Sequence, residues 1–216
     1  MASHEEIDRV LNILAKTQYT NTMLGRMSEK YDPFKVLIST ILSARAKDDV
    51  TEVIAEKLFE KYPTAEKLAN ANKKDVIKII RRIGFYNAKS KNIINAAKML
   101  LEKFDGKVPD KLEQLIDLPG VGRKVANCVL VYAYKQDAIP VDTHVHRISN
   151  RLGWVKTKKP EETEIKLEKL VPRKHWQMIN DTFVTHGKTV CVPISPFCSK
   201  CPIFDYCKKV GVKRQR

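Results

Sequence analysis

Nowhere does this chain carry the ~20 consecutive apolar residues needed to span a bilayer. Its first residues also lack the basic start, apolar run and small-residue cleavage site of a secretory signal. The expectation is therefore a soluble, intracellular protein. Acid is scarce as well: 25 Asp and Glu stand against 40 Lys and Arg, a formal charge of +15. Such an imbalance speaks about partners rather than fold, and polyphosphates are common partners of a basic surface. A merely well-solvated cationic surface would give the same number. Missing, too, is a long run of like charge. The nearest is the stretch with Lys208, Lys209, Lys213, Arg214 and Arg216, so most cations belong to folded segments. No segment alternates polar and apolar residues with a period of two, and no low-complexity linker divides the chain. The fold class expected is all-α.

What is present is helical periodicity, in 216 residues of which 43% are hydrophobic, enough for one or two compact domains. Ser3 and Glu6 form a capping box ahead of Ile7, Val10, Leu11 and Leu14 on one helix face. Asp32-Pro33 supplies an N-cap and a first-position proline before Phe34, Leu37, Ile38, Ile41 and Leu42. A third helix is expected from about Asp49 to just before Pro63. A fourth is capped by Asn72 and closed by Gly84; a fifth covers about Ala88 to Phe104, closed by Gly106. Further helices flank Leu118 to Gly122, begin near Asp142 and fill much of Pro160 to Gly187. Ile83-Gly84-Phe85-Tyr86 and Leu118-Pro119-Gly120-Val121-Gly122 each join two apolar helices through glycine, a weak internal repeat of a kind that chance also produces.

Four of the five cysteines fall in the last 26 residues as C-x6-C-x2-C-x5-C: Cys191, Cys198, Cys201 and Cys207. Four thiolates so close in sequence can surround one centre. The segment is too short for a core of its own, so a metal must supply its folding energy. Softness admits zinc as readily as iron. Zinc ribbons, however, use two C-x2-C knuckles and here only Cys198 and Cys201 make one, which tilts the balance toward an iron–sulfur cluster. Cys128, between Val125 and Val129 in an apolar helix, reads as a core thiol.

The glycines of Leu118-Pro119-Gly120-Val121-Gly122 permit positive φ and the close approach of another backbone. The helix that follows presents unpaired N–H groups and a positive dipole end, which accept a phosphate without any side chain. An ordinary helix–helix turn is the plain alternative. Arg123, Lys124 and the overall charge favour binding to a phosphodiester backbone. Lys124 lies in the first turn, where the helix dipole disfavours an ammonium and eases access to the nucleophilic amine. It could equally be one more phosphate contact. Asp142, in Val141-Asp142-Thr143-His144, is a good N-cap for the helix carrying Val145, Ile148 and Leu152. One carboxylate oxygen can cap while the other serves chemistry.

These residues together resemble the endonuclease III family of helix–hairpin–helix DNA glycosylases. The match runs through Leu118-Pro119-Gly120-Val121-Gly122-Arg123-Lys124-Val125-Ala126-Asn127, then Val141-Asp142-Thr143-His144, then the cysteine pattern. Ser43-Ala44 with Asp48, and Ile83-Gly84-Phe85-Tyr86-Asn87, match as well, so the likeness covers about residues 5 to 207. The resemblance implies a bifunctional glycosylase and AP lyase, with Lys124 as nucleophile and Asp142 as catalytic carboxylate. It implies a [4Fe–4S] cluster on the four cysteines, and DNA contacts from Leu118, Gly120, Val121, Gly122, Arg123, Arg45, Phe85 and His144. Two helical domains with a DNA-binding cleft are implied: a six-helix barrel over residues 26–136, and a second domain joining 1–25 to 137–216 with the cluster loop at 191–207. The implied partner is double-stranded DNA with damaged bases or abasic sites. One chain supplies every part, so a monomer is expected, cytoplasmic or nucleoid-associated.

Two departures from the family pattern stand out. Arg45 occupies a position where glutamine is common, filling the gap left by a flipped nucleotide. The stretch from Val192 to Phe197, usually basic, has no Lys or Arg, so phosphate contact there would fall to neighbours such as Lys188 or Lys200. Phe85 reads either as an intercalating wedge or as a packed turn residue; His144 reads as a DNA contact or a structural histidine. Two other functions fit in part. A monofunctional mismatch glycosylase of the same superfamily would have another residue in place of Lys124. A non-catalytic DNA-binding module with a zinc-stabilised tail would leave Lys124 and Asp142 as coincidence.

Overall fold

The computed structural model describes residues 2–18 and 22–216. Among these residues there are twelve α-helices and no strand. In chain order they are α1 (His4–Gln18), α2 (Met23–Lys30), α3 (Pro33–Ser43), α4 (Asp48–Lys61), α5 (Ala65–Ala69) and α6 (Lys73–Ile80). There follow α7 (Tyr86–Phe104), α8 (Leu112–Ile116), α9 (Arg123–Tyr134), α10 (Thr143–Leu152), α11 (Pro160–Leu170) and α12 (Trp176–Thr189). The chain divides into two compact units: Met23–Gln136, and a discontinuous one of Met1–Thr22 with Asp137–Arg216. Of the segment 1–25 expected in the second domain, residues 1 and 19–21 lie outside the described residues. No described helix is long and apolar enough to cross a membrane.

The unit Met23–Gln136 is built around α3, whose residues 36–42 are all buried, as expected of a helix apolar on every side. It packs against α9, where Val125 to Tyr132 are buried without interruption, Cys128 among them. The predicted caps form: the Asp32 side chain accepts from the Lys35 N–H at 2.9 Å, and that of Asn72 from Lys74 at 2.8 Å. Helix α7 starts at Tyr86, two residues before the expected Ala88, because Phe85 itself caps it; the Phe85 carbonyl accepts from the Lys89 N–H at 3.0 Å.

In the other unit, Ile7, Val10, Leu11 and Leu14 of α1 are fully buried with Val145, Ile148 and Leu152 of α10, Trp154, Leu167 and Phe183. Each such side chain contributes roughly 2 kcal/mol of burial, enough to bind α1 firmly to segments far along the chain. The Ser3 Oγ accepts from the Glu6 N–H at 3.1 Å, so the capping residue sits where its spacing placed it. Beyond α12 the chain makes only two short 3₁₀ turns, Cys198–Lys200 and Phe204–Tyr206. Buried Ile203 anchors this segment to the core, and Cys191, Cys201, Tyr206 and Cys207 pack against it.

Candidate catalytic and nucleic-acid-binding site

The hairpin between α8 and α9 is pinned by Leu118 and Val121, both buried, with the Val121 N–H donating to the Leu118 carbonyl at 3.0 Å. Its two glycines are there for different reasons. Gly120 has φ +82, and a Cβ on it would stand 2.8 Å from the Cβ and Nδ2 of Asn92. Gly122 has φ −93, open to any residue, and a Cβ on it would meet nothing within 4 Å. Only one glycine therefore has the positive φ expected of both. The other leaves bare backbone at the N-terminus of α9, where no side chain caps the helix and no acid lies in the first turn. Packing within the chain gives no reason for that glycine, whereas close approach of an anion does. Exposed Arg123 and half-buried Lys124 are the first two residues of α9.

Asp142 belongs to the other unit, Lys124 to this one. Asp142 is the N-cap of α10, and its Oδ1 accepts from the N–H groups of His144 and Val145, both at 2.8 Å. Both cap bonds fall on one oxygen, so Oδ2 takes no part in holding the helix. His144, half-buried, turns its Nδ1 toward Arg147 Nη2 at 3.1 Å, beside Gly187 of α12, where a Cβ would stand 2.4 Å from that nitrogen. Burial, ahead of the nearby cations, pushes its pKa below the ordinary histidine value. The ring is part of the packing between α10 and α12.

Arg45 and Phe85, from separate turns of the first unit, lie side by side. The guanidinium stands 5.9 Å from the centroid of the phenyl ring. Both residues have left-handed backbones, φ 55 and 60, and Phe85 is 64% exposed. That exposure excludes the packed-turn reading of Phe85. The two glycine turns are alike in backbone, since the left-handed residue is the third of each segment, Phe85 after buried Ile83 and Gly120 after buried Leu118.

Cys191, Cys198, Cys201 and Cys207 are free thiols lining one hollow, with Ile148, Leu152 and Ile203 among its apolar walls. Among the described residues no three His, Cys, Asp or Glu side chains converge closely enough to hold a single metal ion. The donor set nevertheless suits a thiolate-bound group. Burial, reinforced by mutual repulsion, pushes the thiols of Cys198 and Cys207 up and that of Cys201 to about 11, so a cationic centre is needed to hold these three as thiolates. Donors already face the sulfurs: Arg151 Nη1 lies 3.3 Å from Cys191 Sγ, and the Lys209 N–H 3.4 Å from Cys207 Sγ. Arg151 also donates to the carbonyls of Val192 at 2.8 Å and Pro193 at 2.6 Å, while Arg147 donates to that of Cys191 at 2.8 Å.

Sequence reasoning passed over these two arginines. Their one signal is an i, i+4 spacing on α10 beside the apolar stripe of Val145, Ile148 and Leu152. Besides Arg151, a second cation, Arg216, meets the uncharged stretch from Val192 to Phe197. Its N–H donates to the Pro196 carbonyl at 2.8 Å, its Nε to that of Ser195 at 2.9 Å, and its guanidinium stacks 3.9 Å from the centre of the Phe197 ring.

The model of the HhH-GPD superfamily base excision DNA repair protein matches residues 38–173. The chain is 49% identical over 183 residues to endonuclease III of Thermotoga maritima, covering 85% of this chain and 86% of that one. With endonuclease III of a Synechocystis species it shares 39% over 176 residues, 81% and 80% of the two chains. A solved structure of a trapped endonuclease III–DNA covalent intermediate is similar at TM-score 0.86 and 33% identity, over 97% of both chains. A thermostable thymine-DNA glycosylase, 24% identical with a TM-score of 0.80 over 94% of each chain, shares the fold. The chain therefore belongs to the HhH-GPD superfamily of base excision DNA repair proteins, and within it to the endonuclease III family. It has that family's all-α fold and is a base-excision repair enzyme.

Proposed function

We propose that this bifunctional DNA glycosylase and AP lyase acts on oxidised pyrimidines and abasic sites in duplex DNA, with Lys124 as its nucleophile and Asp142 as its catalytic carboxylate. The observation that carries the reading is Lys124 itself. It stands in the first turn of a helix whose N-terminus is left bare by Gly122, in a chain similar over 97% of its length to an enzyme trapped covalently on DNA.

A damaged base in a stacked duplex is out of reach, so its nucleotide swings out, at roughly a few kcal/mol. The N-terminal end of α9, which no side chain caps, and Arg123 hold the phosphate beside it. Positive charge grows on the sugar as the base leaves with the electron pair of the glycosidic bond, and the Asp142 carboxylate stabilises that charge. The Lys124 amine attacks C1′, gives up its proton with help from Asp142, and forms an imine as the sugar ring opens. Asp142 does not act by lowering the lysine pKa, since a neighbouring anion raises it. The imine draws electrons from C2′. Loss of the C2′ proton places that pair in a new C2′–C3′ double bond, and the C3′–O bond breaks with the phosphate leaving. Water then releases Lys124. Arg45 and Phe85 enter the space the nucleotide vacates, Leu118, Gly120 and Val121 hold the hairpin to its shape, and His144 steadies the lesion side from α10.

Cys191, Cys198, Cys201 and Cys207 would hold a [4Fe–4S] cluster, which when bound braces residues 191–207 and takes no part in bond cleavage. The test is turnover on a panel of duplexes carrying oxidised pyrimidines, mismatches or an abasic site. Nicking without heat or alkali on the oxidised and abasic duplexes is expected. Base release without nicking would overturn the lyase assignment.

A further inference from the structure

We propose that Lys89 is a positioning residue, one that ties the end of α3 to α7 and so holds Arg45 and Phe85 together as a single stacked unit for insertion into the duplex. This rests on the wedge role given to those two residues above.

Lys89 is only 6% exposed, yet no carboxylate is among its hydrogen-bond partners. Its Nζ donates instead to the carbonyls of Leu42 at 2.8 Å and Ala44 at 2.6 Å. These are among the last carbonyls of α3, where a helix runs out of internal donors and its dipole end is negative, so a buried ammonium suits them. The next residue after Ala44 is Arg45, with φ 55. On its own helix Lys89 sits one turn beyond Phe85, whose carbonyl takes its N–H at 3.0 Å. One side chain thus fixes the residue before one left-handed turn, while its backbone closes the other. Gly84 lies beside the same junction, where an added Cβ would make only ordinary contact, 3.5 Å, with the Arg45 carbonyl.

Stability calls for only part of this grip. Leu42 is buried and its carbonyl needs the Lys89 donor. Ala44 and Arg45 are exposed, however, so water could satisfy the Ala44 carbonyl that Lys89 also holds. Burial also pushes the amine down to about 8, a sign that the site is poor for a charge. Two adjacent residues with side chains in a conformation that disfavours a Cβ, both facing solvent, mark a place where strain is kept for use. The lysine keeps it.

The test compares wild type with Lys89→Met, and with Lys89→Gln, which keeps a donor should the methionine variant fail to fold. The probes are a duplex with an abasic site opposite 2-aminopurine and a single strand with the same abasic site. A displaced wedge should lower the 2-aminopurine signal on binding and slow single-turnover nicking of the duplex by about tenfold. The single strand has no stack to enter, and its nicking should change by less than about twofold. In a Phe85→Ala background, Lys89→Met should add little, because coupled sites are not additive. Equal slowing on both substrates, or an unchanged fluorescence signal, would overturn the proposal. The signal depends on binding alone, so a wild type that never nicks would sink the proposed function while the fluorescence still decides this one.

Discussion

Gly120 sits so close against Asn92 that an added Cβ would stand 2.8 Å from the asparagine's own Cβ, whereas Gly122 two residues on would touch nothing within 4 Å. Gly120→Ala should therefore lower stability by about 2 kcal/mol through its left-handed φ and the clash. Gly122→Ala should leave unfolding within about 0.5 kcal/mol of wild type and weaken DNA binding. Urea unfolding and DNA titration separate the two. Equal losses of stability would contradict this division of labour.

Asp142 caps α10 through Oδ1 alone. Asn caps as well as Asp, so Asp142→Asn should fold normally while its base-excision rate falls about 100-fold or more. Asp142→Ala should show the same kinetic loss together with about 1 kcal/mol of lost stability. If the asparagine variant kept wild-type turnover, Asp142 would be a cap and nothing else.

The segment from Cys191 lacks regular helix and rests on the core of its own unit through few side chains. The purified protein should contain about four irons per chain and absorb broadly near ~400 nm. Removing the metal should open this segment to protease and leave Met23–Gln136 resistant. A colourless protein with one zinc per chain would favour the zinc-stabilised module instead.

Buried Lys89 should leave a signature in the dependence of stability on pH. Its folded-state pKa, about 8, lies below the ordinary 10.5. Between those values the unfolded chain binds more protons, so the free energy of unfolding gains a term that rises with pH. Below pH 8 the amine is charged in both states and the term is flat. The difference between wild type and Lys89→Met should thus grow from pH 8 toward 10, tempered by the two carbonyls that favour the charged form. A difference independent of pH over that interval would show that the amine titrates normally.

Much of this architecture is legible in the residues because its determinants are local. Asp32, Asn72 and Ser3 each cap a helix whose start lies within three residues of them, and the apolar stripe of α1 is the face it buries. Helix α5, five residues long, carries too little periodicity to be read, and neither it nor α2 is expected from the sequence; α8, equally short, is legible only as the helix that leads into the hairpin at Leu118. The site divides the same way. Asp142 as a cap and the four cysteines around one hollow follow from type and spacing. The different reasons for Gly120 and Gly122, the exposure of Phe85 and the grip of Arg151 on the cysteine segment depend on contacts with residues distant in sequence. Lys89 is the extreme case: its partners lie 45 and 47 positions away, and along the chain it is one lysine among many.

Reaction of the enzyme with an abasic duplex in the presence of borohydride tests the central claim most directly. Reduction should freeze the imine as a stable protein–DNA adduct whose peptide map places the sugar on Lys124, and Lys124→Ala should give none. An adduct on another residue, or full strand cleavage by the alanine variant, would contradict it.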